Sequence, residues 1–250
     1  MKLTVLGDAA GGVPRPGSAG SGFLLSSDET TLLLDCGNGV LGNLRRVASF
    51  ADLDAVILTH LHLDHVADVL PLLGRTYTIG RIPLYAPPGG EVVLEAFIRL
   101  FSSHVEALRG ALDFRPMAGP IEVGRLRLSF PRLEHECHPP CHAAVVEGEG
   151  AKFVYLSDTR SFDGMVEIAR DADLVLAAAS FQEPGPENPR LLRAHMTARQ
   201  AGLVARAAGA KALLLTHIHD LLDPEASRAE AAAVSGCPVA VARPLLEQRV

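Results

Sequence analysis

A layered fold mixing α-helices and β-strands is what this sequence predicts, and three observations carry the prediction. Short runs rich in Val, Leu and Ile alternate with longer stretches of helical spacing through both halves of the chain. Clusters of Gly, Asn and Pro punctuate them. Apolar residues make up 48% of the 250 residues, enough for a sizeable core and for one domain spanning 1–250.

The elements follow in order. "KLTVLG" and "TTLLLDCGNG" read as strands, the second closing on the turn signal Gly37-Asn38-Gly39. "VLGNLRRVASF" has helical spacing, and "DLDAVILTH" is a buried strand. "DHVADVLPLLGRT" starts a helix, with Asp64 suited to the first turn, where carboxylates cap exposed N–H groups. "IPLYAP" is a short strand and "GGEVVLEAFIRLFSSHVEAL" an amphipathic helix. "RLRLSFPRLEH" is a strand, and "AAVVEGEGAKFVYLSD" is a hairpin around Gly148-Glu149-Gly150. In the last third, "ADLVLAAAS", "AKALLLTH" and "CPVAVA" are strands. "TARQAGLVARAAGA" and "DPEASRAEAAAV" are helices between them. The Pro-rich stretch "QEPGPENPR" is too short to link domains.

Composition narrows the function classes. The net charge of -6 offers no bulk attraction to nucleic acid. No apolar run approaches the roughly 20 residues that span a bilayer, and the apolar start "MKLTVLGDAA" breaks at Gly7-Asp8, as a first strand does and a signal peptide does not. The four cysteines, Cys36, Cys137, Cys141 and Cys237, form no disulfide framework, so a cytoplasmic setting is expected.

The chemistry concentrates in "LTHLHLDHVADV", where His60, His62, Asp64 and His65 fall within six consecutive residues after an apolar strand. A lone His-x-His reads equally well as a polar turn. Three imidazoles and a carboxylate in this order read as metal ligands, a set suited to Zn²⁺, Mn²⁺ or Fe²⁺. Further ligands belong at other strand ends, and three places offer them. "LEHECHPPCH" holds His135, His138 and His142; "VYLSDTR" holds Asp158; "LLLTHIHD" holds His217 and His219. The strand-Thr-His sequence occurs twice, at Thr59-His60 and Thr216-His217, as two half-sandwiches aimed at one edge would give.

H-x-H-x-D-H from His60 to His65, a downstream His, "SDT" and a final "TH" resemble the metallo-β-lactamase superfamily over nearly the whole chain. The resemblance implies a four-layer αβ/βα sandwich of the α+β class, with two divalent ions, zinc first and manganese or iron as alternatives, between its sheets. It implies His60, His62 and His138 as ligands of one ion, Asp64, His65 and His217 as ligands of the other, and Asp158 as the bridging carboxylate. Asp35 in "LLDCGNG" matches a carboxylate that supports the ligands from behind. His138 is favoured over His135 and His142 because "HPPCHAAVVE" resembles the family's His, short turn and strand. Cys137 and Cys141 flank it, and His219 is expected as a supporting or surface residue.

Within the superfamily, "RAHMTARQ" resembles the His-x-(Ser/Thr)-Ala element of ribonuclease Z and related phosphodiesterases, where the His stabilises or protonates the scissile phosphate. His195 holds that position here, although a histidine before a Thr197-capped helix is the plainer reading. The glycine-rich "LGDAAGGVPRPGSAGSGFLL" resembles the same branch. The implied activity is a dinuclear phosphodiesterase-type hydrolase in which a hydroxide held between the ions attacks, oriented by Asp64. The implied substrate is a small-molecule or nucleotide phosphodiester, and the implied assembly a homodimer. Two features depart from ribonuclease Z: there is no room between Asp158 and His195 for a transfer-RNA-gripping arm, and Ala178 stands where relatives place a Glu that orients the catalytic His. Glu183 is a candidate substitute. Transfer-RNA 3'-end cleavage is therefore the lesser expectation, beside a thioesterase or lactonase.

Overall fold

The computed structural model describes residues 1–11, 14–72, 80–101, 112–186 and 188–250. Among these residues, fourteen strands form two sheets. The first contains β1 (Lys2–Gly7), β2 (Gly22–Ser26), β3 (Thr31–Leu34), β4 (Ala55–Ile57), β5 (Ile82–Ala86), β6 (Leu112–Pro116) and the last strand, β14 (Glu247–Arg249), in the order β14-β1-β2-β3-β4-β5-β6. The second contains β7 (Ile121–Val123), β8 (Leu126–Ser129), β9 (Ala144–Gly148), β10 (Ala151–Leu156), β11 (Leu174–Ala178), β12 (Leu213–Thr216) and β13 (Val239–Val241), in the order β13-β12-β11-β10-β9-β8-β7. Both are mixed. Pairing is antiparallel up to β3 and up to β10, then parallel from β3 to β6 and from β10 to β13.

The helices are α1 (Val40–Val47), α2 (Leu63–Val66), α3 (Gly90–Phe101), α4 (Gly164–Ala169), α5 (Ala198–Ala208) and α6 (Pro224–Ser235). They cover the outer faces. Leu24, Leu33, Val56 and Leu84 pack outward against Val40, Leu44, Leu94 and Ile98. Val154, Leu156, Val175 and Leu215 pack outward against Met165, Ala201 and Val204. The alternate residues, among them Leu25, Leu32, Leu34, Phe153, Tyr155, Leu176 and Leu214, meet between the sheets. Successive side chains point to opposite faces, so strands buried on both sides read as unbroken apolar runs such as "TLLL". The result is the expected four-layer αβ/βα sandwich.

Phe153 lies at the centre of the inner layer, fully buried. Phe153→Ala should cost about 3–5 kcal/mol through lost transfer energy and the cavity left behind, read as a lowered denaturation midpoint with unchanged slope.

Local signals set most boundaries. Thr197 and Gln200 form a capping box at the start of α5, which ends at Gly209 with φ 69°. The Asp223 side chain accepts from the Glu225 amide ahead of α6, and Gly236 with φ 72° stops it. The expected helix from Asp64 to Thr76 is shorter at its start: α2 ends at Val66, a turn follows, and helical backbone resumes at 69–72. Residues 73–76, and 102–108 of the helix expected over 89–108, lie outside the described residues. Strands β2, β6, β7 and β14 carried no clear sequence signal; β2 is embedded in the glycine-rich stretch, and β14 exists through pairing with β1.

Candidate metal centre

The parallel strands deliver the site. β3 runs into Asp35, β4 into Thr59 and His60, β10 into Ser157 and Asp158, β11 into Ser180, and β12 into His217. Carboxyl ends of parallel strands are rigid and open into loops, where α/β folds gather chemistry. Two of these residues bend the chain abruptly: Asp35 and His217 adopt φ of 57° and 56°, the left-handed region that non-glycine residues rarely enter.

Three groups of potential ligands result among the described residues: His60, His62, His135 and Asp158; Asp64, His65 and His217; and Asp158, His195 and His217. Within each group the ligand atoms lie within 4.8 Å of one another. Asp158 belongs to two of them. Its Oδ2 lies 3.9 Å from His60 Nε2 and 3.4 Å from His217 Nε2, and its Oδ1 lies 3.8 Å from His65 Nε2. Asp64 Oδ2 stands 3.1 Å from His217 Nε2 and 3.7 Å from His65 Nε2.

One expectation is corrected. His135, and not His138, joins His60 and His62: its Nε2 is 3.1 Å from His62 Nδ1 and 3.9 Å from Asp158 Oδ2. Its Nδ1 contacts the Ala194 carbonyl at 2.8 Å, which fixes the ring. The chain then turns tightly, the Cys137 amide donating to the His135 carbonyl, and this carries His138 out to an exposed position. His142 packs nearby with Nδ1 3.0 Å from the Pro140 carbonyl, and His219 is exposed beside Asp220. Cys137 and Cys141 are in none of the three groups, and burial raises both thiols, Cys137 to about 11.

Asp35 is buried behind the ligands. Its Oδ2 lies 2.8 Å from His65 Nδ1 and accepts from the Tyr155 hydroxyl at 3.0 Å, while its Oδ1 accepts from the Thr59 amide at 2.8 Å. Such a carboxylate orients the ring and fixes which nitrogen faces inward. Asp64 lies in the first turn of α2 as expected, but its carboxylate faces the site, where Oδ2 accepts from the Gly11 amide at 2.9 Å. The glycine-rich first loop therefore reaches the centre. Gly37 is tied to the same helix: a Cβ there would meet the Asp64 carbonyl at 1.9 Å, so only glycine lets this turn approach.

The electrostatics suit a cation. Burial, followed by the neighbouring imidazoles His65 and His135, pulls His60 well below the ordinary histidine value. Burial opposes charge on His65 too, but Asp35, Asp158 and Asp64 outweigh it and raise that ring to about 9. Asp64 and Asp158 are held below the usual carboxylate range, with surrounding histidines overcoming burial. Buried His60 Nε2, His65 Nε2 and Asp158 Oδ1 have no hydrogen-bond partner among the described residues. Leaving such atoms unpaired is costly, and a divalent ion among imidazole and carboxylate donors would satisfy all three. The donor set fits the metals expected from the sequence.

His195 stands at the rim. Its Nδ1 lies 3.2 Å from Ser180 Oγ and 3.7 Å from Asp158 Oδ2, and its ring lies nearly parallel to that of His217 with centroids 5.8 Å apart. Burial lowers it to about 4. Glu183 does not hold it; that carboxylate accepts from the Thr197 hydroxyl at 3.0 Å. The polar contact comes instead from Ser180, which sequence reasoning missed. Beside His135, an open cleft of about 860 Å³ is lined by Arg132, Arg160 and Arg193 together with Glu134 and Glu136, and Arg160 is ion-paired with Glu134. A second cavity of about 730 Å³ lies against β13 and against Thr216 and Ile218, the neighbours of His217 in the chain.

A fold of two packed mixed sheets, with histidines and aspartates gathered at one edge, defines a family. The chain belongs to the β-lactamase superfamily: the family model described as "Beta-lactamase superfamily domain" matches residues 30–218. The probable metallo-hydrolase YhfI of Bacillus subtilis is 33% identical over 239 residues, spanning 90% of this chain and 92% of that protein. The YhfI crystal structure superposes with a TM-score of 0.86 at 28% identity, covering 99% of each chain. A ribonuclease Z of Halorubrum lacusprofundi is 31% identical over 283 aligned positions, 91% of this chain and 89% of that one. A diphosphatase of the PhnP family shares the fold, with a TM-score of 0.77 at 22% identity over 100% of this chain and 97% of that one.

Proposed function

We propose that this chain is a metal-dependent hydrolase of phosphodiesterase type, acting as one domain on a small-molecule or nucleotide phosphodiester. The observation that carries the reading is the placement of His195. It stands beside Asp158 and His217, and the cleft that opens alongside at His135 offers Arg132 and Arg193, with Arg160 paired to Glu134. A phosphoryl group needs such an arrangement: a polar ring near the reacting oxygens and guanidinium groups that match phosphate geometry. A lactone or thioester has no such anionic requirement.

His60, His62 and His135 would hold one ion, Asp64, His65 and His217 a second, with Asp158 shared between them; zinc is the expected metal. The pair would act as Lewis acids on phosphoryl oxygens and bring the pKa of bound water towards neutrality. Asp64 positions the attacking water through a carboxylate oxygen that the Gly11 amide holds in place. His195 contributes an N–H to a non-bridging oxygen or to the leaving oxygen. Asp35 keeps His65 facing inward.

The relative named ribonuclease Z keeps transfer-RNA 3'-end cleavage as a second reading, although the net charge of -6 works against a large polyanion. Purified protein assayed on a nitrophenyl phosphodiester, a thioester, a lactone and a precursor transfer RNA separates these readings; turnover confined to the acyl substrates would overturn the proposal. The histidine assignment has its own test. His135→Ala should lose metal by elemental analysis, whereas His138→Ala should retain it, and the reverse result would restore His138 as the ligand.

No helix among the described residues is long and apolar enough to cross a membrane. We propose a cytoplasmic homodimer; light scattering reads the assembly.

A further inference from the structure

We propose that the cavity against β13 is a second ligand site, which takes a small organic monoanion with an apolar body and a hydroxyl at its far end. The inference stands apart from the hydrolase reading, because it rests on the walls of the cavity itself. They enclose about 730 Å³, within the roughly 300–1,000 Å³ of small-molecule pockets. Ile218, Val239, Val241 and Leu246 supply apolar surface, and the glycine-rich loop at 15–18 supplies another wall. Arg15 clamps that loop to the segment after β12. Its Nε donates to the Asp220 carbonyl at 3.2 Å, and its Nη2 donates to the carbonyls of His219 at 3.1 Å and Leu222 at 2.5 Å. The pocket is therefore held in shape by the chain's own bonds.

Two polar groups of the lining are left over. Thr216 ends β12 and is 1% exposed, yet its Oγ1 has no hydrogen-bond partner among the described residues. A hydroxyl enclosed without a partner is costly. Arg243 lines the same cavity and is exposed, and its guanidinium has no hydrogen bond or ion pair among the described residues. The other charged groups of the lining are engaged. Asp8 accepts from the Ser18 hydroxyl, Glu225 pairs with Arg228, and Asp220 lies 3.1 Å from His219 Nδ1.

Strand register brings the two free groups to one place. β12 and β13 are parallel with Leu215 beside Val241, so Thr216 falls next to Ala242, and Arg243 follows by one residue. One group is enclosed and the other faces solvent. A ligand entering from the surface would leave a carboxylate at Arg243, where a guanidinium matches it bidentately. Its body would lie against Ile218, Val241 and Leu246, and its hydroxyl would reach Thr216, which can both donate and accept. The carboxylates of Asp8, Asp220 and Glu225 on the same lining repel a multiply charged ligand, so a monoanion fits and a polyphosphate does not.

The probe is phloretate, a phenol joined to a propionate, titrated into full-length protein and followed by amide NMR shifts. Two trimmed probes read the two handles: hydrocinnamate lacks the hydroxyl, and para-ethylphenol lacks the carboxylate. Phloretate should bind saturably, with shifts at β13 and around Thr216. Arg243→Gln, at an exposed position, should weaken phloretate about 10- to 100-fold, the range for a lost hydrogen bond to a charged group, and leave para-ethylphenol unchanged. Thr216→Val keeps the side-chain shape. It should weaken phloretate about 2- to 10-fold, as for a neutral hydrogen bond, and leave hydrocinnamate unchanged. Absence of saturable phloretate binding overturns the proposal. So does binding that Arg243→Gln leaves unchanged, as for a carboxylate captured by a metal at the histidine cluster. Equal weakening of phloretate and hydrocinnamate by Thr216→Val overturns the pairing of hydroxyl with Thr216.

Discussion

His60→Ala should remove bound metal and turnover together, on every substrate, and Asp158→Ala should do the same. His60 is fully buried and Asp158 is 2% exposed, so neither has solvent to replace a lost contact. Asp158 is the stronger case, because its two oxygens face His60, His65, His135, His195 and His217. Without it, several imidazoles face one another with no shared carboxylate, and at least one ion equivalent should be lost by elemental analysis. Retention of full metal content in Asp158→Ala would remove the bridging role and with it the dinuclear reading.

His195→Ala should leave metal content intact yet lower phosphodiester turnover by roughly 10²–10⁴-fold, the range for a lost acid or hydrogen-bond donor at the reacting group. The contrast with His60 follows from position: the His195 side chain is 20% exposed at the rim, whereas that of His60 is fully enclosed. Leaving groups sharpen the result. If the ring protonates the departing oxygen, the loss should shrink for nitrophenolate, which departs without a proton. If it holds a non-bridging oxygen, the loss should be similar for all leaving groups. An unchanged rate with a poor leaving group would make His195 a structural residue at the start of α5 and shift the reading to acyl substrates.

The sequence made part of this centre legible because its chemistry is local. His60, His62, Asp64 and His65 fall within six residues of the chain, and a strand running into a helix places them together without help from distant contacts. Asp158 and His217 were also readable, since each ends a strongly apolar parallel strand. His135 and His138 could not be separated that way. Both lie in the same loop, and the turn after His135 together with the Ala194 carbonyl decides which ring faces inward. Ser180 was illegible for a different reason: a serine after a strand is common, and its contacts appear only when His195 and His217 arrive from distant segments. Among the strands, β2 was obscured by the glycines around it, and β14 has only three residues whose identity as a strand comes from its partner.

That last pairing has a consequence for the order in which the molecule is made. Lys2, Leu3 and Thr4 align with Arg249, Gln248 and Glu247, so the outer edge of β1 waits for residues far along the chain. His217 also binds back to the first strand region, its amide donating to the Asp8 carbonyl. Contacts between such distant segments must overcome the entropy of closing a long loop before they stabilise anything, which slows folding. The ligand groups draw on His60 to His65 from one half and Asp158 and His217 from the other, so neither half presents a finished centre to an ion. An ion that needs donors from both groups would be held only after both segments have been made and have packed together.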